Sequence, residues 1–195
     1  MKDNNHLDIQ QDPILQRLEN QGRLRELRIN ELLSNTSEIK EGMTCVDMGA
    51  GTGIFSFKLT DRVGENGIVY AVDKNDEMLG YIRRKNPSKN MQLVNRNSED
   101  TGLKSGIADC CLLAFILHEV DMPNEVIDEA YRLLKRDGKV MVVEWKGGPT
   151  PKGPSQKMRI TNDKLKQLLE QAGFVNLRYL NWSVNHYVAL GDKKE

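Results

Sequence analysis

The chain is short of the residues that hold a disulfide-stapled or metal-bound protein together. Its 195 residues include three cysteines, Cys45, Cys110 and Cys111, all set in apolar runs and with no C-x-x-C spacing. An odd number without paired spacing excludes a disulfide framework, and the missing ligand spacing leaves no metal centre to expect. These thiols are therefore expected as small buried core residues. Charge of one sign is lacking too: 28 basic and 28 acidic side chains cancel, so no overall field draws the chain to nucleic acid or to an anionic membrane. No apolar stretch approaches the roughly 20 residues of a membrane span, and Met1 to His6 lack the apolar core of a signal peptide. The expectation is a soluble, cytoplasmic protein of ordinary domain size, with no nucleic-acid partner and no membrane span.

What the chain has is a glycine-rich turn. Cys45-Val46-Asp47-Met48 reads as a short buried strand, Gly49-Ala50-Gly51-Thr52-Gly53 as a tight turn, and Ile54-Phe55 as the start of an amphipathic helix. Alternating glycines let the backbone adopt positive φ and approach a ligand closely, while the helix that follows offers unpaired N–H groups. A second apolar run, 68–72, ends in Asp73, about 20 residues on, where nucleotide-binding α/β folds place an acid that grips ribose hydroxyls. The dinucleotide fingerprint requires a glycine at its sixth position, and counting from Gly49 that position holds Ile54. The missing glycine argues against a nicotinamide cofactor.

In chain order, Asp12-Pro13 opens a helix of about 20 residues, with a Leu stripe from Leu15 to Leu33 and wet faces marked by Arg17, Arg23 and Glu26. This helix is read either as a lid on the cofactor pocket or as an extra layer on the sheet, so residues 1–40 are set apart from a domain over 41–195. Strands are expected at 43–48, 68–72, 91–94, 108–117 and 139–144, and helices after the first, second, fourth and fifth of them. The run 108–117 is the most continuous apolar stretch, as a central parallel strand buried on both faces requires. A turn is expected at Lys135 to Gly138, a Gly/Pro-rich loop at 147–154, and a final hairpin of strands at 175–180 and 184–190 around Asn181-Trp182-Ser183. Alternating strands and helices define an α/β class with a doubly wound parallel sheet, and the final hairpin makes that sheet mixed and seven-stranded.

From about Glu41 onward the chain resembles the class I S-adenosylmethionine-dependent methyltransferases, through Val46 to Gly53 and through Asp73. It is most similar to the small-molecule branch that includes the ubiquinone and menaquinone methyltransferases; Leu117-His118-Glu119-Val120 and Ala172-Gly173-Phe174 add support. The resemblance implies a Rossmann-like fold, S-adenosyl-L-methionine as cofactor and a small-molecule methyl acceptor. It also implies the cofactor contacts: Asp47, Gly49, Ala50, Gly51, Thr52 and Gly53 at the methionine end, Asp73 on the ribose, Asn97 and Ser98 at adenine, with Lys74, Met78 and Phe115 flanking. Asn97 stands where the family commonly has Asp, and its carbonyl can still accept a hydrogen bond. The turn at Lys135 to Gly138 lacks the family's proline.

Methyl transfer needs alignment and exclusion of water more than a triad or a metal. Where an acceptor proton must be removed, His118 is the best-placed base, with Glu144 and Trp145 at the end of the neighbouring strand; packing against cofactor or acceptor is the alternative role for His118. His186, Tyr187 and Arg159 are read by default as packing or solvated residues. A homodimer is allowed by this reading. The competing function is a non-catalytic module that binds S-adenosylmethionine or a partner protein.

Overall fold

The computed structural model describes residues 12–36, 39–150 and 152–194; residues 1–11 of the N-terminal extension, residues 37–38 and Pro151 of the Gly/Pro loop lie outside the described residues. Strands β1 (Thr44–Met48), β2 (Ile68–Val72), β3 (Met91–Val94), β4 (Ala108–Ala114), β5 (Leu134–Trp145), β6 (Phe174–Asn181) and β7 (His186–Lys193) form one sheet in the order β3-β2-β1-β4-β5-β7-β6. The first five are parallel and β7 runs antiparallel between β5 and β6. This is the doubly wound mixed sheet that the alternation of elements predicts.

Both faces of the sheet are covered, as its continuous apolar runs demand. On one face Leu59 and Val63 of α4 (Ile54–Val63) and Leu32 and Leu33 of α3 (Ile29–Thr36) pack with Cys45, Cys110 and Leu112. On the other, Ile127 of α6 (Pro123–Leu133) and Leu169 of α7 (Asn162–Gln171) pack with Val46, Cys111 and Leu113. All three cysteines are buried and unpaired, and burial pushes the Cys111 thiol up.

Three local departures have physical causes. The single N-terminal helix divides into α1 (Pro13–Leu18), α2 (Gln21–Leu27) and α3. Asn20 caps a new helix by accepting the Arg23 N–H at 3.1 Å, and Arg28 ends it with left-handed backbone, φ 44°. The apolar run 108–117 leaves the sheet at Ala114, because Phe115 also turns left-handed, φ 60°. The turn expected at 135–138 is instead a bulge: Leu134 pairs with Ala108, the next pair is Lys139 with Cys110, and Asp137 has φ 62°. Lys135 Nζ, 2.8 Å from Asp109, fixes the bulge to the neighbouring strand.

Among the described residues no helix is long and apolar enough to cross a membrane.

Candidate active site

The strand order changes direction between β1 and β4, so the crevice of the sheet opens above their carboxyl ends. Their register, Met48 beside Leu113, sets the glycine turn next to the segment 115–118. Gly49 and Ala50 both donate backbone N–H groups to the Val72 carbonyl at 2.9 Å. Gly49 has φ 78°, and a Cβ there would lie 2.7 Å from Ile116 Cδ1; no side chain fits at this crossing. Gly51 donates its N–H to Asp73 at 2.7 Å, and the other Asp73 oxygen accepts from Asn75 N–H at 2.8 Å. The acid of β2 thus holds the turn that it faces.

A cavity of about 920 Å³ lies above these strand ends, large enough for a cofactor and a small second molecule. Its floor and one wall carry Asp47, Gly49, Ala50, Gly51 and Thr52, then Asp73, Lys74, Met78 and Ser98; Phe115 and His118 follow on the other side. Eleven of the fourteen residues read from sequence line this cavity, and the three that do not are informative. Gly53 is not on the wall: it starts α4 with φ 78°, and its missing side chain admits Ile82, whose Cγ1 would be 2.9 Å from a Cβ. Asn97 is exposed and off the wall, bridged to Asp100 in a tight turn that leaves Ser98 and Glu99 on the cavity. Glu144 also does not reach the cavity. It is fully buried behind His118, whose Nδ1 is 2.8 and 3.0 Å from its two oxygens, and it accepts backbone N–H groups from His118 and Trp145.

A buried carboxylate facing Nδ1 keeps the proton on that nitrogen and leaves Nε2 of His118 with its lone pair. Nε2 lies 3.7 Å from Glu119, an exposed carboxylate at the cavity lip. Asp47 is 1% exposed; burial pushes its carboxyl up to about 7, helped by the charge of Asp73 and opposed by the Ser56 hydroxyl that donates to it at 2.5 Å. Thr52 Oγ1 is buried on the cavity wall with no partner among the described residues. A polar orphan beside a bare glycine turn, with a ribose-spaced acid opposite, suits the amino-acid and ribose ends of a nucleoside cofactor.

Three further residues of the site were not legible as such. Arg23 and Glu26, assigned to wet helix faces, line the cavity from α2, and Arg23 lies over the Phe115 ring at 5.1 Å. Burial, and then the charge of Arg17, lower the Arg23 guanidinium to about 10. His186 is fully buried, lines the cavity and meets Trp145 and Phe115 edge-on at 4.4 and 5.1 Å between ring centres. Ser183 supports it. Nothing local in the sequence marks these residues, because their partners are distant in the chain. Arg159 is neither solvated nor on the wall: it is buried and donates to the carbonyls of Lys146, Gly148, Lys152 and Pro154, pinning the Gly/Pro loop. Tyr187 packs in the core and donates to the Ile160 carbonyl at 2.9 Å.

A nucleoside-cofactor crevice on a seven-stranded sheet with an antiparallel last strand defines a methyl-transferring α/β enzyme, and the comparisons agree. Residues 46–142 match a family model described as a methyltransferase domain. The chain is 27% identical to the ubiquinone/menaquinone biosynthesis C-methyltransferase UbiE of Haemophilus ducreyi, over 75% of this chain and 70% of that one. It is equally similar to the Klebsiella pneumoniae protein of the same name, at 27% over 74% and 71%. A solved S-adenosylmethionine-dependent methyltransferase from Aquifex aeolicus superposes with TM-score 0.84 and 26% identity, over 91% of this chain and 95% of that one. The chain belongs to the class I S-adenosylmethionine-dependent methyltransferases, and S-adenosylmethionine is its cofactor.

Proposed function

We propose that this enzyme methylates a small, flat, ring-bearing acceptor held against Phe115 and Trp145, with His118 as the base. The observation that carries the reading is the His118–Glu144 pair: His118, just beyond β4, lines the same cavity as the glycine turn, and Glu144, near the end of the adjacent β5, backs it from behind. Relatives named as C-methyltransferases of ubiquinone and menaquinone biosynthesis favour a carbon of a quinol-type ring as the methylated atom.

When bound, S-adenosylmethionine would supply an electrophilic methyl carbon to the acceptor's electron pair, with its sulfur as the leaving atom. The chain's own part is positioning and proton transfer. Asp73, Ser98 and Lys74 are read as holding the nucleoside, Met78 as packing on it, and Asp47, Ala50 and Thr52 as meeting the amino-acid end. The acceptor proton passes to His118 Nε2; Glu144 then stabilises the imidazolium, and Glu119 at the lip carries the proton to solvent. Helices α1 and α2 are read as a lid, with α3 packed against the sheet. In support, Glu19 pairs with Lys85 at 2.8 Å, and Trp182 Nε1 donates to the Leu27 carbonyl at 2.6 Å.

The test is formation of S-adenosylhomocysteine with pooled metabolite acceptors, followed by mass identification of the methylated species. His118→Asn is expected to lower kcat by about 10²-fold or more, as loss of a positioned base does, while binding of S-adenosylhomocysteine measured by calorimetry is unchanged. Glu144→Gln lowers kcat less. Full turnover by His118→Asn refutes the assignment of the base, and weak product binding by the parent enzyme refutes the cofactor site.

A further inference from the structure

His186 holds a second imidazole against the cavity, and its surroundings fix its tautomer. Ser183 Oγ accepts the backbone N–H groups of Asn185 and His186, each at 3.1 Å, and donates its own proton to Glu26 Oε1 at 2.9 Å. Glu26 Oε1 also accepts from Asn185 Nδ2 at 2.7 Å. His186 Nδ1 therefore faces two oxygens, Ser183 Oγ at 3.1 Å and the Glu26 carboxylate at 3.5 Å. A lone pair there would oppose a negative charge, so Nδ1 carries the proton. Nε2, at the opposite edge of the ring, keeps its lone pair and has no partner among the described residues, although the side chain is fully buried. A buried acceptor without a donor is destabilising, and His186 is a residue of the cavity wall.

We propose that His186 is the positioning residue for the acceptor: its Nε2 accepts a hydrogen bond from a hydroxyl on the acceptor ring, and the Glu26–Ser183 pair holds it in that tautomer. The inference rests on the reading of this cavity as a methyltransferase site and adds the group by which it selects its second substrate. Phe115 and Trp145 supply flat apolar surface beside the imidazole, so the hydroxyl sits on a ring in contact with them, and an O-methylated ring forfeits the bond. Burial lowers the imidazole to about 4, Arg23 and Lys146 push the same way, and Glu26 opposes them. His186 therefore stays neutral at physiological pH and acts as a hydrogen-bond acceptor, whereas proton removal belongs to His118. Because Glu26 lies on α2 and His186 on β7, the acceptor group is complete only with α2 seated.

The test uses the full chain, labelled with 15N and saturated with S-adenosylhomocysteine, with 1-naphthol and 1-methoxynaphthalene as probes. Long-range proton–nitrogen spectra, assigned with His186→Gln, are expected to show a neutral ring protonated on Nδ1. 1-Naphthol shifts the Nε2 resonance and 1-methoxynaphthalene does not. Ser183→Ala and Glu26→Gln weaken 1-naphthol binding by about fivefold, the size of one ordinary hydrogen bond, with 1-methoxynaphthalene unaffected. A proton already on Nε2, an equal response to both probes, or no response to either overturns the proposal. Calorimetric titration of S-adenosylhomocysteine into the ligand-free chain separates the two failures: if it binds and Nε2 is silent, the role of His186 alone is wrong.

Discussion

Replacing Asp47 by Asn tests whether the acid beneath the glycine turn is held largely protonated by its burial. In the folded chain its carboxyl lies at about 7, against an ordinary value of 3.8, because it is almost wholly buried and faces Asp73. Between those two values the folded state keeps a proton that the unfolded chain has released. Stability therefore falls as pH rises from about 4 to about 7 and is level above about 8. A separation of roughly three pH units at about 1.4 kcal/mol each gives a cost of about 4 kcal/mol above pH 8, of which about 1.5 is already present at pH 5. Asn retains an acceptor for the Ser56 hydroxyl and carries no charge. Urea unfolding of both proteins without ligand, at pH 5, 6, 7 and 8, should show Asp47→Asn gaining on the parent by about 2.5 kcal/mol across that range. All other titrations are common to the two proteins and cancel in the difference. A stability difference that is constant with pH would show that Asp47 ionises as readily folded as unfolded, and the burial argument would fail.

Gly49→Ala places a methyl group 2.7 Å from Ile116 Cδ1 at φ 78°; it is expected to cost about 1–3 kcal/mol and to weaken cofactor binding, read by thermal unfolding with and without S-adenosylhomocysteine. Gly106→Ala, also at positive φ but with nothing within 4 Å, should cost less; equal losses would refute the role of the Ile116 crossing. Trp182→Ala removes a buried ring that donates to Leu27 and lies 4.5 Å from the Arg28 guanidinium. About 3–5 kcal/mol of stability should be lost, with trypsin cleavage appearing first at Arg23, Arg25 or Arg28. Cleavage that begins elsewhere would show that the hairpin does not anchor α2.

The sheet was readable because β1, β2, β4 and the central parts of β5 and β7 are apolar runs bounded by turn residues, and the crevice was readable because glycines and an acid recur at a fixed spacing. The remainder was hidden for separate reasons. Asn20 and Arg28 are ordinary helix residues, and they break the N-terminal helix only because Asn20 caps a new turn and Arg28 Nη2 is drawn 2.8 Å from the Trp182 carbonyl. Residues 115–117 continue the apolar run of β4 because Phe115 packs over the cavity and Leu117 in the core. Burial, not strand geometry, set the composition there. Glu144 reads like a strand-end catalytic acid, yet strand alternation points it behind His118. His186 gains its meaning from Glu26, and no local pattern links residues so far apart.

The position of β7 inside the sheet affects how the molecule is made. Among the described strands it is the last to be synthesised, yet it is the neighbour of both β5 and β6. While residues 186–193 are still being added, β5 has an open edge and β6 has no strand to join, so a nascent chain can assemble the cofactor half around β1 and β4 well before the other half. His186 arrives with that closing strand and Trp182 and Ser183 just before it, and they carry the contacts that seat α2. The half that recognises the donor is thus available for folding first, and the half that selects the acceptor is finished last, in a single step that also seals the sheet.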